Sequence, residues 1–90
     1  MYRLEVIPVS IEKISIQQVK AARALLQWSQ ADLANASGIS KPTIARLEAE
    51  PGPIGGRIDT ANAIRTALEA AGVEFIAENG GGPGVRLRRK

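Results

Sequence analysis

Ninety residues with twelve Lys or Arg, nine Asp or Glu and a formal net charge of +3 suit one domain with a modest core, a size at which burial against a second subunit often supplements folding. With no cysteine and no histidine, disulfide staples, the usual zinc and iron ligands and thiol or imidazole nucleophiles are all excluded, so neither a metal nor a cofactor is expected. Four of the basic residues are Arg86, Arg88, Arg89 and Lys90, leaving eight basic against nine acidic residues elsewhere, so any surface for a polyanion must be a local patch.

Residues 1–12 read as an N-terminal arm or strand. Tyr2 to Val9 alternate, with Leu4 and Val6 opposite Arg3 and Glu5, and Pro8 favours an edge position or a strand end. Glu5, Pro8 and Glu12 break any apolar run of signal-peptide length, and no later run could span a bilayer, which makes a cytoplasmic location with no membrane partner the expectation.

Helical signals fill residues 13–72. Ser15 with Gln18 has the capping-box spacing, and Val19, Ala22, Leu25 and Leu26 form an apolar stripe behind it. Ser29 repeats the start signal with Asp32, opening a second helix through Ala31, Leu33 and Ala34 that Gly38 ends in a left-handed conformation. Ser40 caps a third helix at residues 41–49, with Pro42 in the first turn, where a missing amide proton costs little, and with Ile44 and Leu47 inward. After the loop Pro51 to Gly56, Asp59 is placed to cap a fourth helix carrying Ala61, Ile64, Leu68 and Ala71, with Gly72 at its end.

Residues 73–90 change period. Val73, Phe75 and Ala77 alternate with Glu74, Ile76 and Glu78, and Val85 and Leu87 alternate with Arg86 and Arg88, so a β-hairpin turning through Asn79 to Gly84 is predicted, followed by a basic tail. The glycine-rich turn is no phosphate cradle, since neither a Gly-Lys-Ser/Thr nor a helix follows it. The chain thus reads as a single domain over 1–90.

Two short helices joined through Ser37-Gly38-Ile39-Ser40 meet the requirement of a helix-turn-helix, in which the second helix offers its N-terminal residues to the major groove. Ile44 and Leu47 take the buried face of that helix, which leaves Lys41, Thr43 and Arg46 toward the exposed one. Lys and Arg suit the guanine O6 and N7 acceptors; Thr43 suits a phosphate or a methyl group.

The run Trp28-Ser29-Gln30-Ala31-Asp32-Leu33-Ala34, then Ser37-Gly38-Ile39-Ser40, then Thr43-Ile44-Ala45-Arg46-Leu47-Glu48 strongly resembles the Cro and phage-repressor class of helix-turn-helix proteins, the XRE family, from about Val19 to Ala71. The resemblance implies a mainly α, compact four- to five-helix Cro/repressor-like domain, here with a C-terminal β-hairpin. It also implies that Gln30 braces the DNA backbone, that Ser40, Lys41, Pro42, Thr43 and Arg46 face double-stranded DNA, and that Arg23 pairs structurally with Glu48. The chain departs from the family at Trp28, where a small turn residue is common, and at Pro42, where related repressors carry an amide that reads adenine. Trp28 is better suited to filling volume between helices than to touching DNA.

No paired carboxylates or nucleophile–base arrangement stands out, so an enzyme is not expected. The resemblance implies a sequence-specific transcriptional regulator working as a homodimer on a pseudopalindromic operator. The alternative is an antitoxin that binds a toxin protein and regulates its own operon. Val73, Phe75, Val85 and Leu87 are the expected dimerisation residues, because a lone hairpin needs more cover than four helices obviously provide.

Overall fold

A computed structural model describes residues 13–88; the strand expected at Tyr2 to Val9 and the last two basic residues lie outside them. The described chain runs α1 (Ile16–Leu26), α2 (Gln30–Ser37), α3 (Lys41–Glu48), α4 (Ile58–Ala70), β1 (Val73–Ile76) and β2 (Gly84–Leu87).

Side chains close the N-termini of the first three helices. Ser15 and Gln18 form a reciprocal capping box at α1, Ser29 and Asp32 form another at α2, and Ser40 accepts from the Thr43 amide at α3. Each cap supplies a partner for amide protons that have none inside the helix, worth about 1 kcal/mol per helix. Short helices of eight residues, as α2 and α3 are, need this help, because nucleation is costly and few hydrogen bonds repay it.

The fourth cap corrects the sequence reading. Arg57, not Asp59, is the N-cap of α4, and it makes no side-chain capping bond. The backbone is already helical at Ile58, so Asp59 lies within the first turn, where its charge complements the exposed amide dipoles without closing any of them.

Val19, Ala22, Leu33, Ile44, Ile64, Leu68 and Val73 meet in the core, with Ile14, Ile16, Ile54 and Ala67 completing it and Trp28, Leu26, Leu47 and Phe75 packed around it. Within α1 the buried apolar stripe is Ile16, Val19, Ala22 and, partly, Leu26. Leu25 is 43% exposed, and the place on the inner face that the sequence reading gave it belongs to Arg23. The segment before α1 is tied to the loop after α3: the Ile16 amide donates to the Gly52 carbonyl at 2.8 Å, and the Ile54 amide to the Ile14 carbonyl at 3.0 Å.

β1 and β2 pair antiparallel with Val73 opposite Leu87 and Phe75 opposite Val85. Ala77 falls just outside β1, and Gly84 pairs with Ile76 instead of belonging to the turn. Val73 is fully buried in this chain's own core, so it has no surface to give a second subunit and leaves the set of dimerisation residues. Phe75 and Val85 are half-buried, and Leu87 is 43% exposed.

Gln18 sets the hairpin's position. Its Nε2 donates to the Gly84 carbonyl at 2.9 Å and to the Ile76 carbonyl at 3.4 Å, while its Oε1 accepts the Ser15 amide at 2.8 Å. One buried amide therefore closes the α1 cap and fastens the neck of a hairpin some sixty residues away. Both ends of the amide being used, its burial costs little.

Candidate nucleic-acid interface

α2 and α3 are joined by Gly38-Ile39-Ser40. Gly38 stands at φ 78 and its amide donates to the Ala34 carbonyl at 2.9 Å, ending α2. Ser40 has extended backbone, at φ −64 and ψ 149, and starts α3 two residues later. Leu33 and Ile44 are both fully buried, so each helix is anchored by one large aliphatic residue, which fixes how α3 rotates about its own axis.

That rotation decides what faces outward. Lys41, Pro42, Ala45, Arg46 and Ala49 are exposed, at helical spacings of three and four, and Thr43 is half-buried beside them. Ser40 Oγ accepts from the Thr43 amide at 3.3 Å and donates to Thr43 Oγ1 at 2.9 Å. The outward face of α3 thus presents two exposed cations, Lys41 in the first turn and Arg46 in the last, a small apolar stripe between them, and a mutually bonded pair of hydroxyls at its start. Pro42, second in the helix, forfeits an amide proton that would have had no intrahelical partner.

Ala45 belongs to this surface without being among the residues expected on it. Its signal was available, since Ala45 is four residues from Lys41 and three from Pro42, but alanine carries no polar group to draw attention.

Behind the surface, one carboxylate joins three helices. Glu48, only 4% exposed, receives Arg23 Nη2 at 2.7 Å on Oε1 and Arg23 Nε at 2.9 Å on Oε2. Gln30 Nε2 donates to the same Oε1 at 3.0 Å. Arg23 Nη1 also donates to the Trp28 carbonyl at 2.9 Å, bracing the turn from α1 into α2. Burial alone would raise the pKa of Glu48, but the hydrogen bonds from Arg23 and Gln30, with the positive charges of Arg23 and Lys20, outweigh it and hold the carboxyl below its ordinary value.

Gln30 is therefore part of the frame that carries α3. An amide NH2 has two protons, so the bond to Glu48 leaves a second donor on the same nitrogen. The cations of the hairpin are differently placed: Arg86 Nε donates to Glu74 Oε1 at 2.6 Å, and Arg88 to the Glu69 carbonyl at 3.4 Å. Both thus have partners on their own surface, apart from the α3 constellation.

Among the described residues no helix is long and apolar enough to cross a membrane. Residues 19–57 match the family model described as helix-turn-helix. A comparison with curated proteins returned no match.

Proposed function

We propose, from the match of residues 19–57 to a helix-turn-helix family model, that this segment is a DNA-binding domain of the XRE kind and that the chain is a sequence-specific DNA-binding regulator that reads the major groove with α3 and acts as a homodimer on a pseudopalindromic operator. The observation that carries this reading is the outward face of α3, where Lys41 and Arg46 flank Pro42 and Ala45 while the buried Arg23–Glu48–Gln30 network fixes the helix from behind. A rigid support matters because base contacts need side chains held to within a fraction of an ångström, and freezing them on binding would cost affinity.

In this reading Ser40, Thr43 and the second amide proton of Gln30 contact phosphate, which sets register, while Lys41, Pro42 and Arg46 meet base edges. Two copies related by a twofold axis would present their α3 helices about 34 Å apart, on successive turns of one face of the duplex. The hairpin, through Phe75, Val85 and Leu87, is the surface proposed to join them.

Genome-wide mapping of bound sites, followed by titration of a recovered operator at several salt concentrations, tests the proposal. Enriched sites should share an inverted repeat with half-site centres one helical turn apart. Affinity should fall steeply with salt as Lys and Arg displace phosphate counterions. Binding without sequence preference would refute a regulator of this kind.

A further inference from the structure

The chemistry of the outward face of α3 is narrower than that of a general base-reading surface. Its exposed side chains are Lys41, Pro42, Ala45, Arg46 and Ala49: two can only donate hydrogen bonds, and three are apolar. The oxygens nearby lie off this face. Thr43 Oγ1 is half-buried and accepts from Ser40 at 2.9 Å, the Glu48 carboxylate is buried beneath Arg23 and Gln30, and the hydroxyls of Ser40 and Thr43 and the amide of Gln30, which belongs to α2, are assigned to phosphate in the reading above.

In the major groove, adenine and cytosine present amino groups, at N6 and N4, that call for an acceptor, and in adenine the amino group stands beside the N7 acceptor, so a donor placed on N7 leaves N6 without a partner. Guanine presents only the acceptors N7 and O6, and thymine presents O4 beside the C5 methyl. Pairing a donor-only surface with an amino group would bury two donors against each other, with neither satisfied. Resting on the DNA-binding reading above, we infer that α3 reads the keto base of each pair it touches, with Lys41 and Arg46 on guanine and Pro42 and Ala45 on thymine methyl groups. The strand that carries the keto base at each position then defines the half-site, and adenine and cytosine go unread.

Base analogues separate these edges. A duplex enriched from a random library by the full-length protein is remade with single changes inside the half-site: deoxyuridine for thymidine, 7-deazaguanine for guanine, or 7-deazaadenine for adenine. Deoxyuridine should weaken binding about fourfold at a contacted methyl, the factor for one buried methyl-sized group. Loss of guanine N7 should cost about fivefold or more, and 7-deazaadenine should leave the Kd within twofold. Pro42→Gln, which adds a two-ended amide to the exposed first turn, should make one position newly sensitive to 7-deazaadenine, with thermal unfolding checking that the variant is folded.

A wild-type protein sensitive to 7-deazaadenine and indifferent to deoxyuridine overturns the keto-base reading. So does indifference to every analogue, which would leave phosphate contacts alone. A library that yields no enriched sequence overturns the DNA-binding reading beneath it as well.

Discussion

Gln27, at φ 59, is the only non-glycine residue with a left-handed backbone among the described residues, and it ends α1 where its amide donates to the Ala24 carbonyl. A side chain in that conformation crowds the following carbonyl at a cost of about 1–2 kcal/mol, part of which glycine gives back as entropy in the unfolded chain. Gln27→Gly should therefore raise stability by about 0.5–1 kcal/mol. At Gly38, φ is 78 and open space surrounds the place a Cβ would take, so Gly38→Ala should lose about 1 kcal/mol through the backbone alone. Urea unfolding of both variants checks the pair, and shifts of the same sign would contradict the argument. On the outer face, Arg46→Ala should weaken operator binding by about 1–3 kcal/mol and relax one base position, whereas Gln30→Ala should weaken it with little change of preference. Equal titration curves for wild type and both variants would reject this recognition surface.

Between elements, the strongest couplings run through single buried polar groups. The Glu48 carboxyl has a folded pKa below its ordinary 4.5, so its ion pair contributes stability that is fully present above pH 4.5 and is lost as pH falls through the depressed folded value. Glu48→Gln should flatten the stability profile in that acid window. With side chains 18% and 3% exposed, removal of either Arg23 or Glu48 should cost about 3–5 kcal/mol, because the partner is left buried and uncompensated. A double-mutant cycle with negligible coupling would remove the pair from the account of α3's support. Gln18 gives a second case: Gln18→Ala leaves the Ile76 and Gly84 carbonyls without this donor and should cost about 1–3 kcal/mol. The loss should appear as faster amide exchange in β1 and β2 than in α2 or α3; uniform acceleration would mean that Gln18 serves the whole fold instead.

For the molecule as a whole, the burial of Val73 changes how assembly can be tested. Cutting the chain before Val73 would remove a core residue and unfold the helices it packs against, so loss of dimer and loss of fold would be confounded. Leu87, 43% exposed on the strand opposite Val73, allows a milder change. Leu87→Lys should leave the unfolding midpoint nearly unchanged, halve the mass in sedimentation and weaken full operators far more than isolated half-sites. A wild-type protein that is monomeric at high concentration, with equal affinity for half-sites and full operators, would exclude the dimer.

Local physics was legible in the sequence. Capping boxes act over three residues, glycine ends a helix by its own backbone freedom, and a change from helical to alternating period marks where helices give way to strands, so four helices, a hairpin and the exposed first turn of α3 could be written down from residue order alone. The family resemblance, not spacing, pointed to Arg23 and Glu48; the depth of that pair, its third member Gln30 and its second bond to the Trp28 carbonyl depend on how three helices cross. Only the fold could decide that Leu25 faces outward, that Val73 belongs to the core instead of an interface, or that the Gln18 of a local cap also grips the hairpin. The α4 cap failed for a local reason the sequence does not carry: Asp59 is a good capping residue, but extended backbone at Arg57 starts the helix two residues earlier. Residue order sets which contacts are available, and the shared burial of distant segments selects among them.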